Sequence, residues 1–210
     1  TDDFIEDLPP LKILFGLLVG LALLLVLLSV LLTTPIIQSE IARFATEKIN
    51  KQFNIDTHIH QVAITIDGSV VLKHVLIFDD HNNTLAKIDR MHTNILDFNK
   101  LTEGQLYFGS TALENLDFHI RTYKNDSLSN LDKFITVFDD GQPGSGKFFM
   151  SIKNIEVFNG NFSVHNENNP NPVAVDFKEL NGAVENLIVR GPNISGDIKA
   201  LSMQTHWGVY

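Results

Sequence analysis

The sequence contains one glycine-framed segment that is close to a phosphate-binding loop. Gly141 to Lys147 reads G-x-x-x-x-G-K, the pattern whose backbone N–H groups cradle nucleotide phosphates at the start of a helix. Such a loop needs a Ser or Thr after the lysine to hold magnesium, but Phe148 follows here and Phe149 to Phe158 is strand-like. We therefore interpret the segment as a Gly/Pro loop.

Histidine and aspartate groups are the other candidates for chemistry. His58 and His60 would share one face of a strand and could bind zinc if further ligands converged on them. Nothing nearby in the sequence supplies such ligands, so solvent-facing strand residues are the simpler interpretation. Asp79-Asp80 and Asp139-Asp140 lie beside turns, where aspartate bonds to its own backbone. We predict no catalytic residue, metal site or cofactor, and we do not expect an enzyme.

Composition excludes several classes of function. The 210 residues include 25 acidic and 16 basic side chains, a formal net charge of −9, and no cysteine. A chain with this charge and no basic cluster is a poor partner for nucleic acid. The absence of cysteine excludes thiol catalysis, zinc fingers and a disulfide scaffold.

Residues 13–32 form an uncharged apolar run. As a helix it would span about 30 Å, the hydrocarbon thickness of a bilayer, so we predict an uncleaved transmembrane helix. Gly16 and Gly20 have the G-x-x-x-G spacing that lets membrane helices pack closely, which makes a second membrane helix a candidate partner. The alternative is that glycine is simply common in such helices. Lys12 precedes the run, whereas Arg43, Lys48 and Lys51 follow it, and this bias taken alone points against export of the later chain. Long domains cross a membrane largely regardless of flanking charge, so we place residues 1–12 in the cytoplasm and the later chain outside it.

A second helix is predicted over residues 34–53, with Thr34 as its N-cap and Pro35 at its first position. Apolar residues recur at helical spacing and polar residues occupy the opposite side. The apolar stripe either lies on a membrane surface or caps a β core, and we favour the cap. The apolar positions are Ile37, Ile41, Phe44, Ala45, Ile49 and Phe53, and the polar positions are Gln38, Glu40, Arg43, Glu47, Lys48 and Lys51.

Residues 55–210 alternate between apolar and polar positions and contain regular turn signals, which predicts a long antiparallel meander. One pattern recurs at intervals of about 40 residues: an apolar residue followed by apolar residues at +3 and +5, starting at Leu72, Leu113, Ile152 and Ile198. The step of three breaks strict alternation, so we expect each copy to contain a bulge or bend. A weaker copy at Phe177 and Leu180 fails at Gly182. Chance repetition of β-alternation is the alternative.

Several stretches resemble one known family. The apolar run, the Pro35-Ile36-Ile37-Gln38 entry to the helix and INKQFNIDTHIHQVAITIDGSVVLKHVLIFDD are similar to the amino-terminal region of the TamB family, in the form found in Bacteroidetes. NLDKFITVFDDGQPGSGKFFMSIKNIEVFNGNFSV and DFKELNGAVENLIVRGPNISGDI show the same similarity. This family provides the inner-membrane subunit of the translocation and assembly module and belongs to the AsmA-like superfamily.

The resemblance implies a fold and a function. It implies a single-pass inner-membrane protein whose periplasmic part is a curved, β-taco-like sheet with an apolar groove, reaching an outer-membrane barrel of the TamA type. It also implies phospholipid transport between the membranes and a link to outer-membrane biogenesis and protein secretion. Members are much longer than this chain, so we expect residues 55–210 to be the start of a longer repeat array.

Alternation also predicts which side chains line such a groove. A sheet that is apolar on one face needs a cover. After Asn54 no strongly amphipathic helix is predicted to provide it, so lipid chains could; the alternative is a closed β-sandwich core. Our leading hypothesis is a lipid-conducting bridge, and the alternative is a scaffold or chaperone for outer-membrane proteins that uses exposed sheet edges. The candidate lining residues are Ile64, Ile66, Val75, Ile77, Leu116, Phe118, Ile120, Phe162, Val164, Leu201 and Met203.

Overall fold

The computed structural model describes residues 19–24, 26, 34–64, 69–97, 99–100, 105–137, 149–190, 193–205 and 208–209. Helix α1 spans Pro35–Phe53 and helix α2 spans Asn130–Thr136. The strands are β1 Asp56–Ile64, β2 Ser69–Phe78, β3 Thr84–Ile95, β4 Gln105–Thr122, β5 Phe149–Asn166, β6 Val173–Arg190, β7 Asn193–Thr205 and β8 Gly208–Val209. The prediction of a mainly β chain with a helix over 34–53 is confirmed.

All eight strands form one open sheet in chain order. Neighbouring strands are antiparallel except β4 and β5, which run parallel. The predicted antiparallel meander is therefore wrong at this pair. Parallel neighbours need a long crossover between them, and here the chain between Thr122 and Phe149, which contains α2, returns to the starting end of β4.

Helix α1 packs on the edge strand β1. Its buried Ala42 contacts Val62 and Val70, with Ile41 packed around them. The predicted stripe is rotated: Phe44, assigned to the buried side, is 67% exposed, whereas the polar Gln38 is 6% exposed. The rotation has a physical cause, because Gln38 accepts a hydrogen bond from the Gln61 side chain on β1. Phe53 lies in α1, but its side chain is outside the described part of the structure.

The amino-terminal predictions fall mostly outside the described ranges. Residues 19–24 and 26 are helical, whereas residues 1–12, Gly16 and the remainder of 13–32 are not among the described residues. No helix in the described ranges is long and apolar enough to cross a membrane. A Cβ at Gly20 would meet no heavy atom within 4 Å beyond its chain neighbours and the backbone of its own helix. Thr34 occupies the N-cap position as predicted, although its side chain makes no capping hydrogen bond.

Five strand residues adopt the left-handed backbone conformation, with φ between 49° and 53°: His74, Asn115, Asn159, Glu179 and Asn186. In β2, the bend at His74 lies between Leu72 and Val75. Leu72 packs with Ile59 in the cluster beneath α1, and Ile59 pairs with Val75. Since paired residues share a face, Leu72 and Val75 point the same way despite their spacing of three.

The predicted bends are thus confirmed for the copies at Leu72 and Leu113, where His74 and Asn115 are left-handed. The bend predicted for the copy at Ile152 is wrong, because β5 bends at Asn159 instead. The Asn159 side chain donates a hydrogen bond to that of Asn115, 44 residues earlier in the chain. The copy at Ile198 has a register shift, between the pairs Ala183–Ala200 and Val184–Ile198.

Two more bends complete the pattern in β6. The weaker copy at Phe177 does bend, at Glu179, with Gly182 at its +5 position. A further copy, Val184-Glu185-Asn186-Leu187, bends at Asn186 and was not predicted. Its similarity to Leu113-Glu114-Asn115-Leu116 is the signal that could have revealed it.

We predict that His74→Gly is neutral or stabilising, whereas His74→Val lowers the free energy of unfolding by about 1–2 kcal/mol, because a β-branched residue is strained at φ 50°. Lys73, next to it in β2, is the matched control: there glycine costs about 1 kcal/mol and valine is tolerated. Urea unfolding of the detergent-solubilised chain, followed by far-UV circular dichroism, measures all four variants. If the glycine and valine variants ranked in the same order of stability at positions 73 and 74, the result would contradict the bend.

Candidate functional site

Two rows of paired residues cross seven strands without interruption. Paired residues on neighbouring strands share a face, so each row is a line of residues perpendicular to the strands, and only Gly182 in the first row has no side chain. The first row is Val62, Leu72, Met91, Leu113, Val157, Gly182 and Leu201, and the second is Ile64, Val70, Thr93, Thr111, Ile155, Val184 and Ile198.

Beyond the bends, further apolar positions continue on the same face, as the pairing of Ile59 with Val75 shows. One line of paired residues there is Ile77, Ala86, Phe118, Phe162 and Phe177, and a second is Val75, Ile88 and Leu116. We call these residues and the two long rows together the apolar face.

Three phenylalanines form a ladder at the centre of the apolar face. The ring centroids of Phe118 and Phe162 are 6.0 Å apart with an interplanar angle of 17°. Those of Phe162 and Phe177 are 6.0 Å apart at 30°. These distances lie in the range of favourable aromatic pairs. The ladder links β4, β5 and β6 and presents adjacent, partly buried aromatic rings.

The apolar face is covered unevenly. At the β1 end, α1 closes it over Val62 and Val70, and no second sheet lies within the described ranges, since all strands belong to one. Exposure of the second long row rises toward β7. Val70 is 7% and Ile155 8% exposed, but Ile198 is 69% exposed. The face is therefore open at the β7 end.

The structure brings most of the predicted lining residues together. Val75, Ile77, Leu116, Phe118, Ile120, Phe162 and Val164 lie beside the phenylalanine ladder, with Ile120 paired to Val164. Ile64 lies at the α1 end of the second long row, far along the face from Leu201, which is 51% exposed on β7. Met203 is also on β7. Ile66 is outside the described residues.

Sequence reasoning missed the contributions of β3 and β6. Ile88 lies between two charged residues, and this alternation is the signal that could have placed Ile88 on the apolar face. Phe177 belongs to the weak repeat copy that we set aside. The face also contains a polar pair: the hydroxyls of Thr93 and Thr111, 1% and 2% exposed, lie 2.6 Å apart. One hydroxyl donates to the other, which lowers the cost of burying the pair.

A polar clamp, formed by Asp79, Tyr123 and Asn130, lies at the turn between β2 and β3. Asp79 accepts hydrogen bonds from Tyr123 Oη (2.5 Å), Asn130 Nδ2 (3.0 Å) and the backbone N–H groups of His81 and Asn83 (3.0 and 2.9 Å). Burial by itself would raise the pKa of Asp79, but these hydrogen bonds outweigh it and hold the pKa below its usual value. The prediction that Asp79 acts as a turn residue is confirmed.

Asn130 fixes α2 against β4. Its Oδ1 accepts from the backbone N–H of Arg121 at 2.8 Å, and its Nδ2 donates to the carbonyl of His119 at 3.1 Å. The side-chain amide thus bonds to the strand as a neighbouring strand would. Ser129 and Asp132 form a capping box at the start of α2. Together these bonds hold the crossover between the two parallel strands.

The candidate metal ligands are engaged elsewhere. Ligand atoms of Asp79, Asp80 and His81 lie within 4.8 Å of one another, the only such group within the described ranges. Asp79 is saturated by the clamp, and Asp80 pairs with Lys133 Nζ at 2.7 Å. His58 and His60 are exposed. We assign no metal to these residues, and the loop from Gly141 to Lys147 is outside the described part of the chain.

Comparison with protein-family models and with curated protein sequences finds no match to this chain. The similarity to the TamB family therefore stays an expectation based on the stretches quoted above. What the geometry offers is an apolar face that is closed by a helix at one end and open at the other. Such a surface can contact apolar chains where its side chains are exposed, as those of Ile198 and Leu201 are on β7.

We predict that Tyr123→Phe lowers the free energy of unfolding by about 1–2 kcal/mol at neutral pH, because Asp79 loses a hydrogen bond. Burial and the hydrogen bond to Asp79 raise the pKa of Tyr123 to about 12. This contribution is therefore fully present below about pH 10, the value for an exposed tyrosine, and is lost as pH rises to 12. Urea unfolding of both proteins between pH 7 and 12 should show the difference shrinking; a constant difference would contradict the clamp.

Proposed function

We propose that the chain is a membrane-anchored part of a periplasmic bridge that conducts phospholipid along the apolar face. The observation that carries the proposal is the pair of rows, apolar except at Thr93, Thr111 and Gly182, that cross seven strands. Rows perpendicular to the strands make a path from the α1 end to β7. The resemblance to the TamB family adds to this, because it implies the same activity.

The free energy of transferring an acyl chain between the bilayer and the apolar face favours passage of lipid along the face rather than its storage there. Moving one methylene out of water contributes about 0.8 kcal/mol, so an acyl chain would not leave a bilayer for water. A bilayer and an apolar face are both hydrocarbon-like, so transfer between them is close to neutral. Polar headgroups keep their hydration at the rim of the sheet. The acyl chains slide along the rows because the face presents few polar atoms that would hold them at one place.

The proposed anchoring rests on the apolar run, and the proposed outer-membrane partner rests on the resemblance to the TamB family. Residues 13–32 act as the inner-membrane helix, with 1–12 in the cytoplasm and 55–210 in the periplasm. The partner at the far membrane is an outer-membrane barrel of the TamA type. A second membrane helix would pack on Gly16 and Gly20. The observation in support is the position of α1, which joins the apolar run to the closed end of the face.

We predict that the photocrosslinker p-benzoylphenylalanine, placed at Phe118 or Phe162, captures phospholipid in cells. Glu156 in β5 is the matched control, since it is exposed and alternates with Ile155 and Val157 of the apolar face. Mass spectrometry of the purified adducts should find lipid at the two phenylalanine sites and none at Glu156. Equal labelling at all three sites, or protein adducts only, would contradict lipid conduction.

A second candidate function is a scaffold that holds unfolded outer-membrane proteins by adding their strands to the sheet. The edge of β7 favours it: β8 pairs only with Gln204 and Thr205, so within the described residues Asn193 to Met203 has no strand on its outer side. Such an edge is a template for a further strand.

Crosslinkers at Ser195 and Ser202, both exposed on β7, separate the two functions. The scaffold predicts adducts with unfolded barrel proteins at these two positions and none at Lys153 in the interior strand β5. Lipid conduction without client binding predicts no barrel adducts at any of the three. Lipid at Phe118 together with barrel proteins at β7 would support both activities in one sheet.

A further inference from the structure

We infer that the outward side of α1 rests on the membrane surface, so that this helix lies between the bilayer and the edge of the sheet. This inference rests on the proposed anchoring by residues 13–32. Ile36 and Phe44 are 77% and 67% exposed on α1. Each residue of an α-helix is rotated by about 100° about the helix axis. The mean direction of the Ile36 and Phe44 side chains is therefore about 180° from that of the buried Gln38 and Ala42.

The rotation of α1 is fixed from both ends, so these apolar side chains cannot turn inward. Near its start, Gln38 bonds to Gln61 of β1. Near its end, Asn50 donates to the carbonyl of Thr57 at 2.8 Å and accepts from the Thr57 backbone N–H at 3.0 Å. The sheet therefore holds Ile36 and Phe44 outward, and burying them requires a surface supplied from outside.

A bilayer is the occupant that the chain itself favours. The uncharged apolar run ends at Leu32, and α1 begins at Pro35. At no more than about 3.6 Å per residue, the start of α1 lies within about 11 Å of the end of that run. A helix held this close to the end of a membrane-spanning segment lies at the level of the lipid headgroups.

Charge on the outward side is consistent with anionic lipid. Arg43 forms ion pairs with Glu40 at 2.6 Å and with Glu47 at 3.0 Å, so one positive and two negative side chains give these three residues a net charge of −1. The exposed Lys48 and Lys51 bring the outward side to a net charge of +1. Apolar residues flanked by lysines are typical of helices that lie in the membrane interface.

The arrangement places the closed end of the apolar face about one helix diameter, ~10 Å, from the lipid surface. Lipid would then reach the face beside α1 rather than through it. The membrane contact of α1 thus determines where a conducting sheet starts.

The chain has no cysteine, so single-cysteine variants can be labelled directly. We would label Ile36→Cys, Phe44→Cys and the control Lys153→Cys, an exposed position in β5, with the environment-sensitive fluorophore NBD. The full chain is reconstituted in vesicles of phosphatidylethanolamine and phosphatidylglycerol that contain nitroxide-labelled lipid. We expect at least two-fold quenching at positions 36 and 44, with a blue shift, and little at 153.

Two results would overturn the inference, and they are distinguishable. Quenching at 36 and 44 no greater than at 153, in chains that float with the vesicles, refutes the contact of α1 and leaves the anchor standing. Chains that do not float with the vesicles refute the anchoring itself, and the contact with it. The double variant Ile36→Ser/Phe44→Ser should keep the native circular dichroism spectrum, because neither side chain packs in the core.

Discussion

The left-handed backbone at a few strand residues decides where the apolar side chains of the sheet point. In an ordinary strand, residues three apart lie on opposite faces. The bend at His74 removes this opposition, so Leu72 and Val75 both contribute to the apolar face. A left-handed residue costs about 1–2 kcal/mol for most side chains, and less for asparagine. Asparagine occupies three of the five bends, at 115, 159 and 186.

The bends stabilise one another across the sheet. Asn159 donates to the Asn115 side chain at 2.8 Å, and its backbone N–H donates to Asn181 at 3.0 Å. Asn115 and Asn159 lie level with each other in the parallel pair of β4 and β5, as the flanking pairs Leu113–Val157 and Asp117–Asn161 show. The polar clamp then has to hold the crossover that parallel pairing needs.

The sequence is sufficient for local features and insufficient for features that depend on distant partners. The helix over 34–53 and the bends at His74 and Asn115 follow from local spacing. The resemblance of Ile152-Lys153-Asn154-Ile155 to the other copies is misleading, because phase with β4 decides that the bend lies at Asn159.

The same limit applies to the direction of α1 and to the apolar face. The predicted position of Phe44 is wrong because hydrogen bonds between β1 and the side chains of Gln38 and Asn50 set the rotation of the helix, and helical periodicity does not encode these bonds. Phe177 was set aside because Gly182 interrupts its copy, although the partner strands supply the apolar contacts that glycine lacks.

The two edges of the sheet differ in their chemistry, and this difference gives the apolar face a direction. At β1, the amide of Asn50 bonds to both backbone groups of Thr57 as a further strand would, and α1 covers the adjacent side chains. The edge is therefore satisfied at Thr57, and the helix packed against β1 disfavours pairing with another strand. At β7, Ile194, Ile198 and Leu201 are 52%, 69% and 51% exposed. Since an added strand would both pair with this edge and bury apolar surface, the rows can be extended at β7 but not at β1.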